Sequence, residues 1–415
     1  MAEATALVGV ALELEVGAPA HGGSCVARHD GRVVFVRHAL PGERVRAVVT
    51  EDRGSYLRAD AVDILDPADG RVAPPCPHSG PGRCGGCDWQ HVSGELQRAM
   101  KAEVVREQFL RLAGLDVSDL LTKVEALADD LLGWRTRITY ATDPTGRLGL
   151  HRYRSSEIEL IDHCPLGVDG VGNSEVLARV WPGLTGVEVV RAGTGEPTVL
   201  AHRPGRGRQA RGRRPPDRVE VLDGPGEIAV SAAGRPMSLT PGTFWQVHPG
   251  AADTYAAAVL EAVRPAAGET VLELYSGAGA LTAVLADAVG PTGGVLALES
   301  SRAAVADARR NLADVPWVRT EQARIDAAHL AAISDQPDLV VLDPPRTGLG
   351  AEATRRLLDL GPRAVAYVAC DPASLARDTR AALDAGWRLA GLRAFDAFPM
   401  THHVECLAHL VPVEP

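Results

Sequence analysis

An apolar run that ends on two glycines, Leu272-Glu273-Leu274-Tyr275-Ser276-Gly277-Ala278-Gly279, constrains this chain more than any other feature. Residues 271–275 read as a buried strand, and the glycines directly after it let the backbone turn tightly and approach a ligand closely. Val271 to Tyr275, Val295 to Glu299, Leu339 to Asp343 and Ala364 to Cys370 are apolar strands separated by Ala/Arg-rich helical stretches. Strand, helix, strand repetition predicts a parallel, doubly wound sheet covered on both faces, with its ligand at the carboxyl ends of the strands. Glu299 lies 22 positions after Gly277 and ends the second strand, where a carboxylate accepts hydrogen bonds from two ribose hydroxyls. Glycines and acid together suit a dinucleotide or S-adenosylmethionine, since both carry an adenosine ribose.

The fourth strand separates the two ligands. It runs into Asp343-Pro344-Pro345-Arg346, and each proline ring fixes φ and restricts the residue before it, so the strand ends in a stiff turn. Such a turn beside an adenosylmethionine pocket is familiar from methyltransferases, while a dinucleotide oxidoreductase has no need of it; the choice rests on analogy.

Upstream the pattern is β. From Val8 to about Leu65, short runs such as 32–36 and 44–49 alternate with turn signals at Gly22-Gly23, Asp30-Gly31 and Pro41-Gly42, the spacing of a small β-barrel. Leu96, Met100, Val104 and Leu112 then recur at helical spacing, with Ser93 as N-cap, Gly114 at the far end, and Arg98, Lys101, Arg106 and Arg111 on the polar side. Residues 125 to 240 read β-rich again, interrupted by Arg203 to Arg218, where seven arginines accompany one acid, Asp217, in what is expected to be a loop open to phosphate. The expected units are a barrel over 1–66, a β-rich central domain over 67–242 and an α/β catalytic domain over 243–415.

With 43 basic and 53 acidic residues the net charge is -10, which argues against coating nucleic acid through charge alone yet leaves room for a local basic face. No apolar run approaches the roughly 18 residues that span a bilayer, and Met1-Ala2-Glu3 lacks the basic start of a signal peptide. A soluble, cytoplasmic protein without a membrane partner is expected. Seven cysteines in such a chain point to metal binding or catalysis rather than a disulfide framework. Cys76, Cys84 and Cys87 are spaced Cys-x7-Cys-x2-Cys, with Gly85-Gly86 between the last two. Three ligands need a fourth, and four thiolates suit a [4Fe-4S] cluster or tetrahedral zinc equally.

Longer motifs resemble those of the RNA uracil-C5 methyltransferases, which make 5-methyluridine. They are Phe244-Trp245-Gln246, the glycine motif, Asp343-Pro344-Pro345-Arg346-Thr347-Gly348, the run Ala369-Cys370-Asp371-Pro372-Ala373-Ser374-Leu375-Ala376-Arg377-Asp378, and His402-His403-Val404-Glu405. The run around Cys370 is the most specific. The resemblance spans nearly the whole chain, since that family commonly carries a TRAM barrel, a cysteine cluster and a central β domain in this order. It implies a class I methyltransferase domain that binds adenosylmethionine through Gln246, Tyr275, Gly277, Gly279, Glu299 and Asp343. It also implies Cys164 as fourth cluster ligand, iron and sulfur in preference to zinc, and ribosomal or transfer RNA as substrate, with no obligate protein partner. Where some relatives carry Cys-Gly-Asn-Gly-Asn, this chain has Ser276-Gly277-Ala278-Gly279-Ala280, so a polar cofactor contact is missing at Ala280.

Carbon 5 of uracil is a poor nucleophile, and a thiolate adding at carbon 6 turns the ring into an enolate that accepts a methyl group at carbon 5. By the resemblance Cys370 is that thiolate, and Glu405 is the base that then removes the carbon 5 proton. Asp343 and Arg346 are expected at the uracil edge or a neighbouring phosphate, and Cys25 and Cys406 read as packing residues. Two other readings stand beside this one. An RNA amino-group methyltransferase would not require Cys370, and a non-catalytic RNA-binding or assembly factor is opposed by the intact Cys370 and Glu405.

Overall fold

The computed structural model describes residues 7–193, 195–205 and 217–413. Strands β1 (Ala11–Glu15), β2 (Cys25–His29), β3 (Arg32–Arg37), β4 (Arg44–Asp52) and β5 (Tyr56–Asp66) form one sheet in the order β1-β4-β5-β3-β2. Alternate residues point inward, so Leu12, Leu14, Val45, Ala47 and Val49 fill its core. The sheet closes on itself where the Gly17 and Val26 amides donate to Val26 O and Ala18 O, at 2.7 and 2.9 Å. The expected barrel is therefore present.

Helix α1 (Gly94–Gln108) begins where the Ser93 hydroxyl accepts the Leu96 amide and, after a wider turn over Phe109–Ala113, stops at Gly114, φ 65. Both expected caps hold, but one member of the expected polar side, Lys101, departs from it. Lys101 is fully buried, its Nζ 2.5 Å from Asp396 Oδ1 and 3.1 Å from Phe398 O. Arg106 donates to the carbonyls of Leu121 and Thr122, and Arg111 pairs with Glu107. Helical spacing shows which residues share a face, not what that face meets. Strand β6 (Glu125–Ala126) follows α1.

The central sheet joins β7 (Arg137–Thr142), β8 (Leu148–His151), β9 (Ile158–Leu160), β10 (Gly186–Val190), β11 (Thr198–Arg203) and β12 (Arg218–Asp223), all antiparallel, in the order β12-β11-β10-β7-β8-β9. Of the arginine-rich stretch, Arg203 and Arg218 pair across the ends of β11 and β12; residues 206–216 lie outside the described residues. A separate hairpin, β13 (Ile228–Ala232) and β14 (Arg235–Leu239), leads onward.

The C-terminal layer alternates α2 (Ala251–Val263), β15 (Thr270–Leu274), α3 (Ala280–Val289), β16 (Gly294–Glu299), α4 (Arg302–Asn311), β17 (Val318–Gln322), α5 (Ala327–Ala332), β18 (Leu339–Leu342), α6 (Ala351–Leu358), β19 (Ala364–Ala369) and α7 (Pro372–Asp384), then ends in β20 (Trp387–Asp396) and β21 (Glu405–Pro412). The sheet order is β17-β16-β15-β18-β19-β21-β20-β6. The first five strands are parallel and carry apolar cores on both faces, as expected of a doubly wound sheet. The wholly parallel expectation fails at one edge: β21 is antiparallel to both β19 and β20, because eight residues, too few for a crossover helix, join β20 to β21. On that edge β6 pairs with β20, and Ala102, Val105 and Phe109 of α1 and its last turn pack into the same core. Within the stretch expected with the central unit, Ala102 to Ala126 contribute to the catalytic sheet and its core, while Leu96 and Met100 pack with the barrel. Among the described residues no helix is long and apolar enough to cross a membrane.

Candidate active site

Strand β15 turns into α3 through three residues of positive φ, Tyr275 (62), Gly277 (56) and Gly279 (95). A Cβ on Gly279 would meet Leu312 Cδ1 at 2.9 Å, whereas Gly277 faces open space. The first glycine thus leaves the backbone bare toward a ligand and the second permits close packing. Beside the turn lies a pocket of about 80 Å³ lined by Trp245, Gln246, Glu273, Tyr275, Gly277 and Asp343 among others. Four of the six expected cofactor residues therefore meet around one space. Gly279 and Glu299 stand behind it: Glu299 accepts the Gly277 amide at 3.1 Å and the Ser301 amide at 2.6 Å, fastening the glycine turn to the end of β16. Buried Glu273, raised to about 8 by desolvation, is a pocket residue the sequence reading passed over.

Two strands along, β19 pairs with β21 as far as Ala369 and Cys406, and Cys370 and Glu405 each lie one residue beyond that last pair. Glu405 is 2% exposed and Cys370 is half-buried. Burial first, then the neighbouring Glu405 and Asp343 carboxyls, push the Cys370 thiol up to about 12. Burial and Asp343 likewise drive Glu405 well above the carboxylate range, against the pull of Tyr255 and Arg346. Burial raises Asp343 to about 7. Two acids and a thiol crowded into low dielectric all hold their protons more tightly than they would alone in water.

The N-terminal barrel reaches this edge. His21 Nε2 lies 3.0 Å from Asp371 Oδ2, and Asp371 also caps α7 by accepting the Ser374 amide at 2.8 Å. Although burial opposes it, the His21 and Ser374 bonds hold Asp371 down to about 2. His402 Nδ1 sits 2.6 Å from Asp88 Oδ2, and Arg346 Nη2 is 3.1 Å from His403 Nε2. Asp378, from the motif that carries Cys370, accepts the Tyr367 hydroxyl at 2.7 Å and the Leu349 and Gly350 amides at 2.8 and 3.1 Å, pinning the loop after β18. The His402-His403 pair was visible in the sequence without a role. His21 and Asp88 carried no signal, because their partners lie 350 and 314 positions away.

A TRAM-domain family model matches residues 6–62, the tRNA (uracil-5-)-methyltransferase model residues 319–412, and the protein-L-isoaspartate(D-aspartate) O-methyltransferase model residues 249–321. Over 95% of its length the chain is 32% identical to the 23S rRNA (uracil(1939)-C(5))-methyltransferase of Alkalilimnicola ehrlichii, covering 95% of that protein. This chain belongs to the RNA uracil-C5 methyltransferase family. It is also 46% identical to a Streptomyces coelicolor protein named as an uncharacterized RNA methyltransferase, over 99% of this chain and 95% of the other. Its fold is that of the tRNA (uracil-54, C5)-methyltransferase of Pyrococcus abyssi, crystallised with S-adenosyl-L-homocysteine, at a TM-score of 0.70 and 21% identity over 96% of this chain and 100% of that one.

In this member of the RNA uracil-C5 methyltransferase family, Cys76, Cys84, Cys87 and Cys164 line a single cavity of about 240 Å³, all as free thiols. Gly85 lets the loop lie flat on the central sheet: its amide donates to His151 O at 2.9 Å, and a Cβ there would stand 2.7 Å from Tyr153 N. Gln90 Nε2 donates to Cys87 Sγ at 3.2 Å. Burial raises all four thiols, Cys84 to about 11. Among the described residues no three His, Cys, Asp or Glu side chains are grouped closely enough to hold a metal ion. Cys25 and Cys406 are buried in apolar cores, as expected of packing residues.

Proposed function

We propose that this RNA uracil-C5 methyltransferase moves the methyl group of S-adenosylmethionine to carbon 5 of an unpaired or flipped uridine in ribosomal or transfer RNA, through a covalent bond between Cys370 and carbon 6. The observation that carries the reading is the position of Cys370 beside Glu405 and Asp343 and next to the glycine-turn pocket. An amino-group methyltransferase has no use for a thiol there, and a passive RNA-binding factor has no use for a buried acid facing it.

The cofactor supplies an electrophilic methyl group, and Gln246, Tyr275, Gly277 and Asp343 are the residues to hold it, with Gly279 and Glu299 fixing the turn from behind. Cys370 gives up its proton to water and adds as the thiolate to carbon 6, which leaves an enolate with its electron pair at carbon 5. Carbon 5 takes the methyl group and then carries both it and the original hydrogen. Glu405, in its deprotonated form, removes that hydrogen as a proton, the carbon 5–carbon 6 double bond re-forms, and the sulfur of Cys370 departs with its electron pair. Arg346 stays at the rim, within reach of a uracil oxygen or a phosphate.

The four cysteines fit a [4Fe-4S] cluster. Buried thiols raised in this way become thiolates only beside a cation, and binding would release their protons. Bound there, a cluster would tie the loop at 76–87 to Cys164 and so hold the central sheet against the N-terminal segment. The chain then works as three cytoplasmic units, 1–66, 67–242 and 243–415, with α1 crossing from the second to the third. Mass-spectrometric mapping of 5-methyluridine in ribosomal and transfer RNA, from cells with and without this protein, tests the activity; an unchanged map would overturn it.

A further inference from the structure

Proton abstraction by Glu405 needs a carboxylate, and most of what surrounds that side chain opposes one. Burial and then Asp343 push its carboxyl up, while Tyr255 and Arg346 pull it back. The titratable groups around it are Asp343 and Arg346 after β18, Cys370 after β19, Cys406 beside it on β21, and Tyr255 on α2; β20 meets it with the apolar Phe395. Arg346 is engaged with His403 at the rim. Tyr255 is the donor inside.

Glu405 is the registered partner of Phe395 in the β20–β21 pair, so both side chains leave the sheet on one face. Leu407, two residues on, packs with Tyr255, Val259 and Phe395 in the core beneath α2, which identifies that face. Tyr255 is 3% exposed and its ring centroid lies 5.8 Å from that of Phe395. A phenyl ring would fill this place equally well. The hydroxyl adds a buried polar atom that closes no hydrogen bond among the described residues, at a pocket wall shared with Glu273 and Asp343. Such an atom is destabilising unless some state of the site supplies its partner. Burial, then Glu405 and Asp343, drive the Tyr255 hydroxyl well above its usual range, so it keeps its proton and serves as a donor. We propose that Tyr255 is a positioning residue for the base, its hydroxyl donating to the Glu405 carboxylate and holding it toward carbon 5 of the uracil. The proton taken from carbon 5 goes to Glu405, the carbon–hydrogen electron pair closes the carbon 5–carbon 6 double bond, the sulfur leaves with its own pair, and Tyr255 loses nothing. The proposal rests on the reading of Cys370 as nucleophile and Glu405 as base.

Tyr255→Phe tests it, because the ring and its contact with Phe395 stay and only the unpaired hydroxyl goes. The substrates are ribosomal and transfer RNA transcripts made with uridine tritiated at carbon 5. Single turnovers quenched at intervals, from about pH 6 to about pH 9, follow tritium release and the methylated adduct. In Tyr255→Phe the adduct should decay about tenfold more slowly on the acidic limb of its pH profile, and that limb should move up by about one pH unit, the effect of losing one hydrogen bond to a charged group. Recovery of the wild-type rate at high pH separates this from a distorted site, which would be slow at every pH. Trapping of 5-fluorouridine RNA and affinity for S-adenosylhomocysteine should not change. Adduct decay with the wild-type pH profile overturns the inference, as does weakened S-adenosylhomocysteine binding with an unmoved profile, which would make Tyr255 a cofactor residue. Wild-type protein that releases no tritium from either RNA overturns the activity reading, and Glu405→Gln that releases it normally overturns Glu405 as the base, whatever Tyr255→Phe does.

Discussion

Cys370 and Glu405 lie one residue beyond Ala369 and Cys406, the last rung of the β19–β21 ladder, near enough that the Glu405 carboxyl raises the Cys370 thiol. The two residues would act on opposite sides of methyl transfer, so their variants should fail differently. Cys370→Ala should abolish the covalent protein–RNA adduct and methylation together. Glu405→Gln should still add and transfer, then accumulate a methylated adduct, with product release slowed by about 10²–10⁴-fold. Denaturing gels with labelled RNA and, separately, labelled methyl donor distinguish the two. Normal turnover by Glu405→Gln would mean that another base acts.

The acids around Cys370 also set a pH dependence. Asp343 sits at about 7 in the folded protein, against about 3.9 when unfolded, so between these values the folded state holds a proton that the unfolded state has lost. Stability contributed here is present below about pH 4 and fades as pH rises through 7, and Glu405, also raised, adds in the same direction. Urea midpoints at pH 5 and pH 8 should therefore differ less in Asp343→Asn than in the wild type. An equal difference in both would remove Asp343 as the source.

Lys101 and Asp396 form an ion pair with side chains 0% and 2% exposed, joining α1 to β20. Lys101→Met strands a buried carboxylate and should cost about 3–5 kcal/mol, while adding Asp396→Leu should recover most of it. Chemical denaturation of the two single variants and the double variant reads the coupling. Additive losses would show that the pair does not hold α1 in place.

Gly23, φ 87, sits where an added Cβ would lie 3.0 Å from Asp88 Cγ and 3.1 Å from His402 Nδ1. Gly23→Ala should cost about 1–3 kcal/mol and loosen the barrel from the catalytic edge, seen as faster hydrogen exchange at residues 18–24 and 402–405. Exchange confined to the barrel would mean that the loop does not transmit its strain.

Anaerobically purified protein should carry iron and sulfide, and Cys164→Ser should lose both as completely as Cys84→Ser, although Cys164 is far away in sequence. Stoichiometric zinc in their place would rule the cluster out.

What the sequence determined alone is local. The alternation of β1 and β4, the caps Ser93 and Gly114, the glycine turn after β15 and the stiff prolines after Asp343 all follow from neighbours within a few residues, where steric and hydrogen-bonding rules act without outside help. The family motifs likewise marked Cys370 and Glu405 before any fold was known. Tertiary structure decided whatever depends on pairs distant along the chain. It buried Lys101 against Asp396, added β6 to the catalytic sheet, turned β20 and β21 antiparallel, put Cys164 into the cavity of Cys76, Cys84 and Cys87, and brought His21 to Asp371. A helical stripe or a lone histidine reads the same whichever partner covers it. Which partner does so depends on the packing of the whole sheet, because desolvation and charge pairing are properties of neighbours in space.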